Sequence, residues 1–241
     1  MEPVAGAVLA AACLVVGIGS VLQGAVGFGS GLIAAPLLAL LDPRLVRGPL
    51  IVAGIALSAF VLWRDRDGLV AAGIGWTLCG RVPGSAAGAA ALALLPIHNV
   101  NVLLALLVLV AVMMSVSGLH PPMNRRSLLA SGLLSGFMNT TSSIGGPPLA
   151  LVYQRLPGRT LRAVLSVNFV VGGLISLVAL AVAGRFAAPE ARISAVLVGG
   201  AAAGFALSHT AARYLDTGRT QYAVLVVSAV SSLALLLREF L

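Results

Sequence analysis

The stretch Val21–Pro43, VLQGAVGFGSGLIAAPLLALLDP, places Gly24, Gly27, Gly29 and Gly31 within eight positions and follows them with Pro36. It lies in a run that carries no charge from Val4 to Leu41. Glycine in a helix interior costs roughly 0.5–1 kcal/mol relative to alanine, and proline about 3 kcal/mol. As one straight helix the run would be roughly 57 Å long at ~1.5 Å per residue, whereas about 20 residues cross the ~30 Å hydrocarbon core. The run must therefore bend back, break or cross twice.

The composition explains why hydrocarbon is the relevant solvent. The 241 residues are 59% hydrophobic and 9% charged, with a mean hydropathy of +1.06, against about 25% charged in soluble domains. A chain solvated by lipid needs polar residues only in loops and functional interiors. All fifteen basic residues are arginines, placed almost entirely in short gaps between apolar runs, where they set orientation and touch headgroups rather than nucleic acid. Cys13 and Cys79 lie within apolar segments and without metal-site spacing, so neither a disulfide framework nor a zinc site is expected. The first apolar run has no positive region before it and reads as a retained span rather than a cleaved signal.

The apolar runs between charges make eight segments: Val4–Leu41, Val46–Trp63, Leu69–Leu95, Val100–Ser117, Leu128–Leu156, Leu161–Ala183, Ile193–Ala212 and Tyr222–Leu237. The fifth is also overlong and is interrupted by NTTSSIGGPP, Asn139–Pro148. A shift of 112 residues puts Gly24 on Gly136 and Pro36 on Pro148. A shift of 120 puts GRVPGSAAG (Gly80, Gly84, Gly88) over GAAAGFALS (Gly200, Gly204, Ser208), and Asn101 over Gln221. The reading is an all-α polytopic membrane protein of about eight transmembrane segments in two repeats, 1–118 and 127–241. Residues 119–126 form the link, and each repeat opens on a broken or re-entrant helix. Gly80, Gly84 and Gly88 have the small-xxx-small spacing that lets helices approach closely in lipid, and packing is their expected role.

Orientation depends on how the two long segments pass. If each counts as one span, the arginines other than Arg81 divide seven and seven. If each changes the parity, making ten crossings rather than eight, the loops with Arg64/Arg66, Arg125/Arg126, Arg155/Arg159/Arg162 and Arg213/Arg219 share the cytoplasmic side, nine against five. That count makes the repeats inverted, as suits alternating access.

Polar residues at membrane depth are costly unless they line a cavity or find partners. The candidates are Gln23 and Ser30 in the first half and Asn139, Thr140, Thr141, Ser142, Ser143 and Asn168 in the second. A broken helix presents free N–H groups and a positive dipole end at the start of its second piece, near Ser30–Pro36 and Ser143–Pro148, so it attracts anions. The seven acids all lie near segment ends, which argues against a midmembrane carboxylate relay. Asp42 reads as a helix stop or an ion-pair partner. Arg81, deep in the third segment, is either an anion contact with bidentate geometry or a residue that snorkels past a bend at Pro83 or bonds a neighbouring carbonyl. His98 and His120 lie in loops, and His209 is a weak proton-coupling candidate. HExxH and GxSxG are absent, so no enzyme chemistry and no cofactor is expected.

GIGSVLQGAVGFGSGLIAAPLL (Gly17–Leu38) and GLLSGFMNTTSSIGGPPLAL (Gly132–Leu151), with the chain length and span number, resemble the TauE/SafE family of bacterial membrane proteins. The resemblance covers essentially the whole chain. It implies transport of small, often sulfur-containing anions such as sulfite or sulfonates across the inner membrane. Gln23, Gly24, Gly27, Phe28, Gly29 and Pro36 match its first motif; Gly136, Asn139, Gly145, Gly146, Pro147 and Pro148 match its second. The expectation is an exporter working by alternating access, with a small anion and the bilayer as partners. A coupling proton or ion and a homo-oligomer remain open. The alternatives are a passive anion channel, a membrane-embedded enzyme or a partner subunit.

Overall fold

A computed structural model describes residues 6–46, 48–186, 188–211 and 217–240. Among these residues there are ten α-helices and no strand: α1 (Gly6–Val26), α2 (Ser30–Leu41), α3 (Gly48–Asp65), α4 (Ile74–Leu94), α5 (Ile97–Val116), α6 (Arg125–Ser142), α7 (Gly146–Tyr153), α8 (Gly158–Val182), α9 (Ala188–Ala211) and α10 (Thr217–Phe240). The side chains of His209, Arg219 and Gln221, and the whole of Arg213, lie outside the described residues.

The two overlong segments are the ones that break, giving α1 with α2 and α6 with α7. In the first break, Gly27 (φ 104°) and Gly29 (φ 115°) leave the right-handed region at little cost because they lack a Cβ. The second break puts a serine there, Ser143 at φ 60°. Both breaks reverse the chain. Gly19, seven residues before the end of α1, lies so close to Ser30 that an added Cβ would stand 3.1 Å from Ser30 Cα. Ser135, seven residues before the end of α6, donates from Oγ to the Gly145 carbonyl at 2.6 Å. Each second piece thus begins about two turns back beside the first, as a helical hairpin.

Equivalent points of the breaks, Gly29 and Gly145, stand 116 residues apart rather than 112. The prolines that suggested 112 serve different positions. Pro147 and Pro148 lie in the first turn of α7, where their missing N–H costs nothing, but Pro36 is the seventh residue of α2. The glycine stripes pack as expected. Between α4 and α6, a Cβ at Gly80 or Gly84 would overlap the carbonyl of Leu129 or Leu133, and one at Gly132 the carbonyl of Thr77. Between α1 and α9, a Cβ at Gly200 would stand 2.7 Å from Cys13 O and one at Gly204 would overlap Gly17 O. Leu129 and Leu133 follow Cys13 and Gly17 by 116 residues, and Gly200 and Gly204 follow Gly80 and Gly84 by 120.

Directions follow from the contacts at the two ends. At one end, Arg162 pairs with Asp65 at 2.7 Å, Arg159 with Asp67 at 2.9 Å, and Gln154 donates to Leu119 O at 2.8 Å. Arg125 lies 5.0 Å over the ring of Trp76 at this same end. At the other end, Asp42 caps a short 3₁₀ turn (Pro43–Leu45) through Arg44 N and ion-pairs with Arg44 at 2.6 Å. Arg238 donates to Leu40 O there, and Phe186 packs on Gly48. Arg64 on Gly24 O places the end of α1 toward the first group, whereas Ser143 Oγ on Val46 O places the end of α6 toward the second, so α1 and α6 run oppositely.

Four stretches among the described residues are long and apolar enough to cross a membrane, Gly6–Val26, Pro43–Gly68, His98–Val116 and Gly158–Val182. α2 is apolar but only 12 residues long, Ser30–Leu41, and the fully described parts of α9 and α10, Arg192–Ser208 and Ala223–Arg238, are apolar as well. α4 carries Thr77, Arg81 and Ser85, and α6 carries Ser131, Ser135 and Asn139–Ser142. These two polar helices bury their faces against each other through the glycine contacts.

Gly84→Ala is expected to destabilise the detergent-solubilised protein by about 1–3 kcal/mol, because the added methyl meets backbone that has no rotamer escape. Gly75→Ala, where a Cβ has no neighbour within 4 Å, is expected to be neutral or mildly stabilising in the same thermal unfolding assay.

Candidate functional site

The first turns of α2 and α7 meet inside the protein. Gly31 lies against the Ser143 carbonyl, and Gly146 lies so near Phe28 that an added Cβ would be 3.2 Å from Phe28 Cβ. Between these turns and helices α3 and α8 is a cavity of about 50 Å³. Gln23 lines it from α1, Gly29–Gly31 from the first break and Ser143–Pro147, with Asn139, from the second. Gly54 and Ser58 of α3 and Phe169 and Gly173 of α8 close the sides, with Leu32, Leu50, Ile51 and Ile55 as the apolar margin. At roughly 10–15 Å³ per water-sized probe position, the cavity holds a few non-hydrogen atoms.

Its polarity comes mainly from backbone. The amides of Ser30, Gly31 and Leu32 open α2 and have no carbonyl in their own helix to bond; the next, Ile33, reaches Gly29 O at 3.4 Å. α7 offers fewer donors, because Pro147 and Pro148 carry no N–H. Both dipoles nonetheless present their positive ends to the same space. The opposite, negative pole at the end of α1 is covered by Arg64, whose Nη2 donates to Gly24 O at 2.6 Å.

The polar side chains are held in place. Gln23 Nε2 donates to Ser58 Oγ at 3.1 Å, and Ser30 Oγ donates to Gln23 Oε1. Asn139 Nδ2 donates to Ser176 Oγ at 3.0 Å, and Ser143 Oγ to Val46 O at 2.6 Å. Among the described residues, no carboxylate lines the cavity.

Of the residues singled out in the sequence, the cavity brings together Gln23, Gly29, Ser30, Asn139, Ser143, Gly145, Gly146 and Pro147. Gly24 serves the α1–α9 contact against Ser208, Gly27 packs on Arg162, and Gly136 lies on the Arg81 carbonyl. Phe28 wedges between the hairpins, and Pro36 is buried within α2. Thr141 and Ser142 bond back to Phe137 O and Met138 O of their own helix at 2.8 and 2.7 Å, and Thr140 reaches Ser176 at 2.9 Å. Pro148 faces a separate apolar cavity of about 470 Å³ between α5, α6 and α7.

Arg81 and Asn168 meet on the far side of α8, with Nη1 donating to Asn168 O at 2.9 Å. Arg81 does not snorkel: α4 continues through Pro83 and the side chain is 0% exposed. Ser58, Gly54, Phe169 and Gly173 were not foreseen. Ser58 is the lone hydroxyl of α3, a signal that depth-of-polar-residue reasoning could have used. No group of histidines, cysteines and carboxylates among the described residues is placed to hold a metal.

Residues 10–235 match the family model described as Sulfite exporter TauE/SafE. The chain belongs to this family. TauE/SafE proteins are membrane transporters. Comparisons with curated proteins and with solved structures give no match.

In this TauE/SafE chain Gly29 has open space around an added Cβ but φ of 115°. Gly29→Ala is therefore expected to cost about 1–2 kcal/mol through backbone strain alone. A lowered melting temperature with an unchanged helical circular dichroism spectrum is the expected measurement.

Proposed function

We propose that this TauE/SafE protein is a multi-pass transporter of the bacterial inner membrane that exports a small sulfur oxyanion, sulfite in the first instance, through the cavity between its hairpins. The observation that carries this reading is the convergence of two helix N-termini on one cavity with no carboxylate among its described lining residues. A volume of about 50 Å³ suits a compact inorganic oxyanion better than a substituted sulfonate. Gln23, Ser30 and Asn139 orient the anion, and Gly29, Gly31, Gly145 and Gly146 admit it close to the backbone.

The reading includes two inverted repeats, 1–118 and 127–241, joined by 119–126, that rock about the cavity to give alternating access. The matched α4–α6 and α1–α9 packings, and the opposite directions of α1 and α6, support it. The end that gathers Arg64, Arg66, Arg125, Arg126, Arg155, Arg159 and Arg162 is then cytoplasmic.

Millimolar sulfite is expected to raise the melting temperature of the purified protein, by the linkage between binding and stability, and taurine to raise it less. Gly54 lines the cavity and an added Cβ there has no neighbour within 4 Å. Gly54→Leu is expected to fold normally and weaken sulfite binding by about ten-fold or more, a loss of roughly 1.4 kcal/mol. Unchanged sulfite affinity in that variant removes the cavity as the site. Saturable flux with counterflow in liposomes is expected of the carrier; single-channel currents would instead identify a pore.

A further inference from the structure

Arg81 is fully buried, and no carboxylate among the described residues meets its charge. Nε and Nη2 have no hydrogen-bond partner among the described residues; only Nη1 is used, on Asn168 O. The described acids are engaged elsewhere, Asp42 with Arg44, Asp65 with Arg64 and Arg162, and Asp67 with Arg159. A buried charge left uncompensated is strongly destabilising. Such a group is retained where an anion comes to it, and the guanidinium fork matches two oxygens of one oxyanion.

Its position relative to the cavity is specific. Phe169 and Gly173 of α8 face the cavity, while the residues just before them, Asn168 and Gly172, touch Arg81. A Cβ at Gly172 would overlap the guanidinium. The Gly172–Gly173 pair thus leaves only backbone in this part of the wall. A buried polar seam runs past the same point. It links Asn139 on the cavity wall to Ser176 (3.0 Å), Ser176 to Ser85 (3.3 Å), Asn168 to Thr77 (2.6 Å) and Thr77 to Tyr153 (3.5 Å). Ser85 stands one turn from Arg81 on α4, and Tyr153 ends α7 beside the arginine-rich loop.

We infer that Arg81 is a second anion station, beyond α8, on a route that joins the cavity to the arginine-rich end of the molecule along the α4–α8 seam. This rests on the cavity reading above. The cavity holds the anion by backbone dipoles; Nε and Nη2 of Arg81 receive it when α8 shifts at its glycine pair.

The test compares wild type, Arg81→Met, Arg81→Lys and Gly172→Ala as full-length protein, with sulfite as the probe for both equilibrium binding and maximal flux in liposomes. Arg81→Met is expected to keep Kd within about three-fold while lowering maximal flux at least about ten-fold, with Arg81→Lys recovering part. Gly172→Ala keeps the charge but displaces the guanidinium, and is expected to lose flux as well. Without sulfite, Arg81→Met is expected to melt no lower than wild type, since a purely structural contact would be missed and an uncompensated charge would not. Wild-type flux in Arg81→Met overturns the inference. So does a loss of affinity that accounts for the whole loss of flux, or a lowered melting temperature accompanying it. Wild-type protein that binds no sulfite overturns the cavity reading itself, whatever the variants do.

Discussion

Inside hydrocarbon, a backbone N–H or C=O that leaves its helix has no water to turn to. A transmembrane helix therefore breaks only where protein covers the gap, and here the two gaps cover one another. Ser135 holds the Gly145 carbonyl, Ser143 reaches Val46 O, Gly27 N bonds Gln23 O at 2.7 Å, and the first turn of each hairpin lies on the other. The rest of the architecture serves that arrangement. Backbone-to-backbone packing of α4 on α6 and of α9 on α1 clamps the long arm of each hairpin, and α3 and α8 close the space left between the short arms.

Charge is divided between side chains and backbone in a way that suits transport. The arginines bound the molecule at its ends or cap carbonyls, and the cavity takes its sign from amides. The first break shows this within one loop: it exposes a negative helix end and a positive one a few residues apart. Arg64 covers the negative end at Gly24 O, so only the positive end of α2 is left facing the cavity. On the proposed reading, an anion is attracted there without a cation among the described lining residues to hold it fast, and weak retention is what turnover requires.

Most of the backbone plan was legible in the residues. Run length against membrane thickness, with glycines and prolines at the overrun, located both breaks; the 120-residue echo of small residues located the α4 and α9 stripes. The proline alignment misled by one helical turn, because Pro36 stiffens the body of α2 whereas Pro147 and Pro148 open α7. The side walls of the cavity were not legible. Before its charged last turn α3 is apolar apart from Ser58, and nothing in its pattern says that it meets α8. Depth marked Arg81 as unusual, but only the crossing of α4 and α8 reveals that it stands behind a pair of glycines.

The two prolines of α7 make the hairpins unequal. α2 opens at the cavity with three successive amides that have no partner in their own helix, while α7 lacks two of its first three through Pro147 and Pro148. In a carrier whose halves exchange roles, a conformation in which the ion leans on α2 and one in which it leans on α7 then differ in energy. On the proposed alternating-access reading, the two access states then differ in population, and the carrier has a preferred resting side.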